Sequence, residues 1–157
     1  MALPDLLDKN NRNWKEYLED VYQVYQDTIT RVGLIFDGAP VKTRWFPCDD
    51  GKGATFWHMI TEGEIECERT PDERRCERIR WVAWMITNAK TDAELCWWEN
   101  TRRGNTHIVI WAKDHNFAVI LAKRKGCYML MSAYWVKEYR RIDFEREYAE
   151  YKKKTTG

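Results

Sequence analysis

No apolar run in these 157 residues approaches the length of a membrane-spanning helix, and the opening stretch MALPDLLDKNNRN lacks the charged and apolar segments of a secretion signal. Cysteine pairs with CxxC spacing are missing, and the count of five, at positions 48, 67, 76, 96 and 127, is odd. Neither structural zinc nor a disulfide framework is expected, and a reducing, cytoplasmic setting is. There is no phosphate-cradling glycine loop, GxSxG elbow, HExxH helix or dinucleotide fingerprint, which argues against nucleotide hydrolases, esterases, zinc peptidases and Rossmann enzymes. Charge of one sign is lacking too: 26 basic against 25 acidic side chains leave a formal net charge of +1, so no global field advertises nucleic acid.

Tryptophan, by contrast, is abundant. Nine of them, in a chain 14% aromatic, supply either a core rich in rings or platforms on which bases stack. Charge is also uneven along the chain. Glu62, Glu64, Glu66 and Glu68 form an acidic stretch, while Lys123, Arg124, Lys125, Arg140, Arg141 and Lys152 to Lys154 make the last third basic. That asymmetry permits an anionic partner and equally describes a solvated surface.

Periodicity predicts one domain over residues 1–157, made of an N-terminal helix within 1–33, a core over 34–137, and a C-terminal helix with a basic tail over 138–157. Trp14, Tyr17, Leu18, Val21, Val24, Tyr25 and Val32 fall at helical spacing, with Asn13 as N-cap and Gly33 as the stop. Asp37-Gly38 between apolar runs signals a hairpin, and residues 47–55 read as a loop. A helix from Pro71 to about Lys90 is expected, with Thr70 as N-cap, Pro71 at its first position and Glu73 closing a capping box. Cys76, Ile79, Val82, Ala83 and Ile86 form its apolar stripe.

The period then changes to two. Residues 94–99, 106–112, 117–123 and 128–137 read as successive strands joined by connections short enough for an antiparallel meander. The fold class is therefore α+β, with N-terminal helices packed on one face of a four-stranded antiparallel meander sheet and a short C-terminal helix. In the last strand, alternation turns Met129, Met131, Ala133 and Trp135 towards the helices, and Tyr128, Leu130, Ser132, Tyr134 and Val136 the other way. His107, Val109 and Trp111 share one side of the second strand, with Ile108, Ile110 and Ala112 opposite. A sheet face mixing hydroxyls, aromatics and a histidine suits a shallow groove; a sheet covered on both sides is the alternative.

The three histidines differ in promise. His115 lies in a turn, and His107 begins a strand. His58 follows Phe56-Trp57 in an amphipathic segment, a setting that suits acid–base work near neutrality and equally a packed core histidine.

Three runs in order, Phe56-Trp57-His58-Met59-Ile60-Thr61-Glu62, Arg75-Cys76-Glu77-Arg78-Ile79-Arg80-Trp81 and Tyr128-Met129-Leu130-Met131-Ser132-Ala133-Tyr134, resemble phage-associated nucleases of the BECR fold (barnase, EndoU, tRNA-cutting colicins, RelE). The resemblance covers roughly residues 34–137. It implies a metal-independent endoribonuclease with a toxin or phage-conflict role, acting on RNA, tRNA included, leaving DNA uncut, and needing no cofactor. Residue by residue it makes His58 the helical histidine and Ser132 the late-strand hydroxyl, with Arg75 or Arg78 on the phosphate and Tyr134 beside Ser132. Glu62, one turn beyond His58, or His107 would be the second proton carrier, and Trp111 would contact substrate. A neutralising or target protein is the other partner the resemblance suggests. Two non-enzymatic readings stand beside it: a phage-type interaction or inhibitor protein, and an RNA binder that does not cut.

Overall fold

The computed structural model describes residues 3–156. Helix α1 (Trp14–Tyr25) starts where the sequence places it, because the Asn13 side chain accepts a hydrogen bond from the Glu16 amide at 2.9 Å. Its buried stripe, Tyr17, Leu18, Val21 and Tyr25, runs on to Ile29 through one π-helical turn, and Gly33, at φ +63°, ends it. Strands β1 (Ile35–Phe36) and β2 (Ala39–Lys42) form the expected hairpin. Asp37 and Gly38 both have positive φ, as a two-residue turn of this kind requires.

Helix α2 (Ala54–Ile60) carries His58, and after it the chain departs from expectation. Thr70–Pro71 form a strand, β4, paired with Thr61–Glu62, β3, so neither Thr70 nor Pro71 opens a helix. The cap is Asp72, whose carboxylate accepts from the Arg74 amide. The single helix expected over 71–90 is two, α3 (Glu73–Glu77) and α4 (Ile79–Asn88). At their junction Arg78 leaves helical geometry (φ −101°, ψ 17°), and the bonds there run three residues back, from Arg78 to Arg75 and from Trp81 to Arg78.

The meander is present as β5 (Leu95–Arg102), β6 (Asn105–Ala112), β7 (Phe117–Arg124) and β8 (Cys127–Trp135), paired in sequence and antiparallel. It is not the whole sheet. Among the described residues the sheet has six strands in the order β1-β2-β8-β7-β6-β5, and β2 joins β8 in parallel through Val41 and Lys42, so the sheet is mixed.

Helices also cover both faces rather than one. Against one face α1, α2 and α4 bury Phe56, Ile60, Ile86, Ile110, Val119 and Leu130. Against the other lies α5 (Glu138–Thr156), which at 19 residues is not the short helix expected. Phe144 of α5 packs on Trp98 and Trp111, ring centroids 5.2 and 5.5 Å away, in a second core with Val109, Ala118 and Val136. Burying each such ring contributes about 1.5–3 kcal/mol, so this layer carries a real share of stability. Trp98 Nε1 donates to Glu147 of α5 at 3.1 Å, which satisfies its indole N–H.

The alternation expected along β8 fails at one place. A bulge pairs Ile120 with Ser132 but Leu121 with Leu130, leaving Met131 as the extra residue. Before it, Tyr128 and Leu130 face the α1/α2/α4 core, opposite to the side expected; after it, Ala133 faces that core while Tyr134 and Val136 face α5.

Candidate functional site

Strand β2 is only four residues long, and its pairing with β8 ends at Lys42 and Met129. From Leu130 onwards that edge of β8 meets α2 and α3 instead of a strand, and two cavities open along it.

The first cavity, about 290 Å³, is lined by His58, Glu66, Arg44, Thr55, Met129 and Met131 among others. His58 Nε2 lies 2.7 Å from Glu66 Oε1, and the two side chains are 32% and 65% exposed. When Nε2–H donates to the Glu66 carboxylate, Nδ1 is left as the acceptor, the tautomer a general base requires. His58 is thus half-buried beside a cavity and not sealed in the core. Glu62, expected one helical turn from it, lies past the end of α2 in β3 and lines the second cavity instead. Glu66, in the three-residue helical turn Glu66–Glu68, takes the place at the imidazole.

The second cavity, about 790 Å³, gathers Ser132, Tyr134, Arg74, Arg75 and Arg140, with Glu62 and Asp72 on its acidic side. Burial pushes the Tyr134 phenol above its ordinary pKa, while Arg140 beside it pulls the other way, so the phenol stays protonated near neutrality. Arg140 itself is anchored by Glu147 and Asp143 of α5 at 3.3 and 3.4 Å.

His58 and Ser132 line different cavities, joined through Arg75. Arg75 Nη1 donates to the carbonyl of His58 at 3.2 Å and to that of Thr61, while its guanidinium carbon stands 5.8 Å from the centre of the Tyr134 ring. Burial, then the neighbouring Arg69, lowers the Arg75 pKa; its Nε has no hydrogen-bond partner among the described residues, with the Asp72 carboxylate 3.7 Å away. Arg69 donates to the same Thr61 carbonyl at 2.6 Å and to Gly63 at 2.8 Å, so two arginines fix the turn between α2 and β4.

The remaining sequence candidates lie elsewhere. Arg78 is stacked between Trp81 and Trp135, 5.0 and 5.1 Å from their ring centres, and donates to the Arg74 carbonyl; it lines neither cavity. His107 is on β6, with β7 between it and β8, on the sheet side of Val109 and Trp111. Trp111 is 1% exposed beneath α5, which leaves no ring face for a substrate.

Sequence reasoning missed Glu66, Arg44, Arg74 and Arg140. Glu66 was visible only as one of an acidic run, and because it and His58 lie in different elements no single helical or strand period relates them. Arg140 reaches its cavity because α5 turns back across the sheet, which no local pattern announces. Comparison with protein-family models, with curated protein sequences and with solved structures gives no match.

Proposed function

We propose that this protein is a metal-independent endoribonuclease of the BECR type, cutting RNA by attack of the substrate's own 2′-hydroxyl. The observation that supports it best is the gathering, along one edge of β8, of an accessible His58–Glu66 pair, the hydroxyls of Ser132 and Tyr134, and several guanidinium groups. Such a reaction needs a base for the 2′-hydroxyl proton, an acid for the leaving 5′-oxygen, and donors for the crowded phosphate. His58, its tautomer set by Glu66, takes the first role. The neutral Tyr134 phenol stands on the far side of Arg75 for the second, with Glu62 as the other carrier on that side. Ser132, Arg74 and Arg140 offer donors to the phosphate oxygens, and Arg75 positions His58 through its main-chain carbonyl.

Purified protein incubated with total cellular RNA in excess EDTA is the direct test. New RNA ends carrying 2′,3′-cyclic phosphate are expected, and DNA of the same length stays whole because it lacks the nucleophile. Cutting that needs a metal, or any cutting of DNA, refutes this chemistry.

A second reading rests on the acidic side chains of the larger cavity. Glu62, Glu64, Glu68 and Glu138 interleave with its arginines, a mixed surface that suits a protein partner as well as a polyanion. RNA left intact, with a host protein retained on the immobilised chain, would favour an interaction or inhibitor protein.

A further inference from the structure

Between two residues that line the His58 cavity, Arg44 and Pro47, the chain presents Trp45 and Phe46 to solvent, 49% and 72% exposed. These two large rings are adjacent in the chain and both bare, and they are not loose. The carbonyls of Arg44 and Trp45 accept from the amides of Thr55 and Ala54, at 3.1 and 3.0 Å, and the Arg44 amide donates to Thr55 Oγ1 at 2.7 Å. Three hydrogen bonds thus bind this segment to the first turn of the helix that carries His58. The Trp45 ring also lies against Gly53, where a Cβ would come within 2.9 Å of it. Beside the rings Arg44 is exposed and has no ion-pair partner among the described residues.

We infer that Trp45 and Phe46 form a stacking platform for an unpaired base of single-stranded RNA, with Arg44 holding the adjacent phosphate and the scissile linkage placed at His58. The inference rests on the nuclease reading and specifies its substrate class. Aromatic faces accept any base that is free to leave its neighbours, whereas duplex bases are already stacked on each other. Two rings, one cation and a cavity of about 290 Å³ match the size of a nucleotide better than the broad patch a protein interface needs.

The test uses a short labelled strand of 2′-O-methyl RNA, which lacks the attacking hydroxyl, and the same strand annealed to its complement. Fluorescence anisotropy is expected to show the single strand bound at least about tenfold more tightly than the duplex. Trp45→Ala with Phe46→Ala should weaken single-strand binding by about 10- to 100-fold and leave duplex binding unchanged. Because Trp45 packs on Gly53, Phe46→Ala alone is the arm free of folding effects, expected to cost about fivefold, while Trp45→Phe should retain binding. Equal affinity for duplex and single strand overturns the inference, as does unaltered binding by both Phe46→Ala and the double variant. Failure to bind either strand, with a lysate protein retained by the wild type and lost by the double variant, overturns it in favour of a protein partner. Cleavage assayed in parallel separates the two readings. Cutting with ring-independent binding removes the platform alone, and ring-dependent binding without cutting removes the nuclease alone.

Discussion

The two halves of β8 belong to one strand, yet they are bounded differently: the first lies between two strands and borders the His58 cavity through Met129 and Leu130, while the second opens on the larger cavity. From Cys127 to Leu130 the strand has β7 on one side and, at Tyr128 and Met129, β2 on the other, and its inward residues Tyr128 and Leu130 are buried. From Ser132 to Trp135 only β7 remains, the bulge has shifted the pleat, and side chains meet cavities. The difference is made by where a neighbouring strand stops. A ladder that ends early leaves an edge that must be covered some other way, and here short helices cover it imperfectly. Function is proposed where that cover is incomplete.

The sharpest way to break this contrast is to remove one residue from each side of it. His58→Ala should lower RNA cleavage by about 10²–10⁴-fold, the usual worth of a proton-transfer group. The melting temperature should barely move, since the imidazole and its partner Glu66 are both partly exposed. A large loss of stability would make His58 a packing residue and end its separation from the structural half. On the other side Tyr128, 6% exposed and lining neither cavity, should behave in the opposite manner. Tyr128→Ala is expected to destabilise by about 3–5 kcal/mol in denaturant titration, with activity falling only as folded protein is lost.

Ser132→Ala tests the open half more gently. It should reduce kcat/KM about tenfold or more, as loss of a donor to developing charge does, while stability changes by less than about 0.5 kcal/mol. The effect that vanishes at neutral pH concerns α3, which lies along the open edge. Burial, reinforced by the carboxylates of Asp72, Glu73 and Glu77, pushes the Cys76 thiol up from its ordinary 9.0 to about 12. The folded state therefore keeps a proton that the unfolded chain releases. Stability is full below pH 9 and declines as pH rises towards 12, by at most about 1.4 kcal/mol per unit from this group. Unfolding measured at rising pH should show a shallower decline in Cys76→Ala.

Local signals in the sequence proved reliable where the structure is local. Asn13 caps α1, Asp37-Gly38 turns the hairpin, Cys76 faces inward, and the meander strands begin and end within a few residues of expectation. What escaped was decided by distant partners. Thr70-Pro71 reads as a helix start until Thr61-Glu62 pairs with it, and Val41 gives no sign that it will lie parallel to a strand almost ninety residues later. The bulge at Met131 reversed the expected facing of Tyr128 and Leu130, because one inserted residue resets a period of two. For the candidate site, His58, Ser132, Arg75 and Tyr134 were legible as residue types in order. Their division between two cavities, the Glu66 partner, and the withdrawal of Trp111 and His107 to the α5 side depend on tertiary packing.

Helix α5 also sets an order of events. The chain is made from its N-terminus, so the four meander strands exist before the helix that covers them. Until α5 docks, Trp98 and Trp111 face water together, and the larger cavity lacks the guanidinium of Arg140. Without α5 the domain would be sticky and incomplete at once, and the docked helix ends both conditions. A chain ending before residue 138 would expose two large rings and lack one cation of the larger cavity.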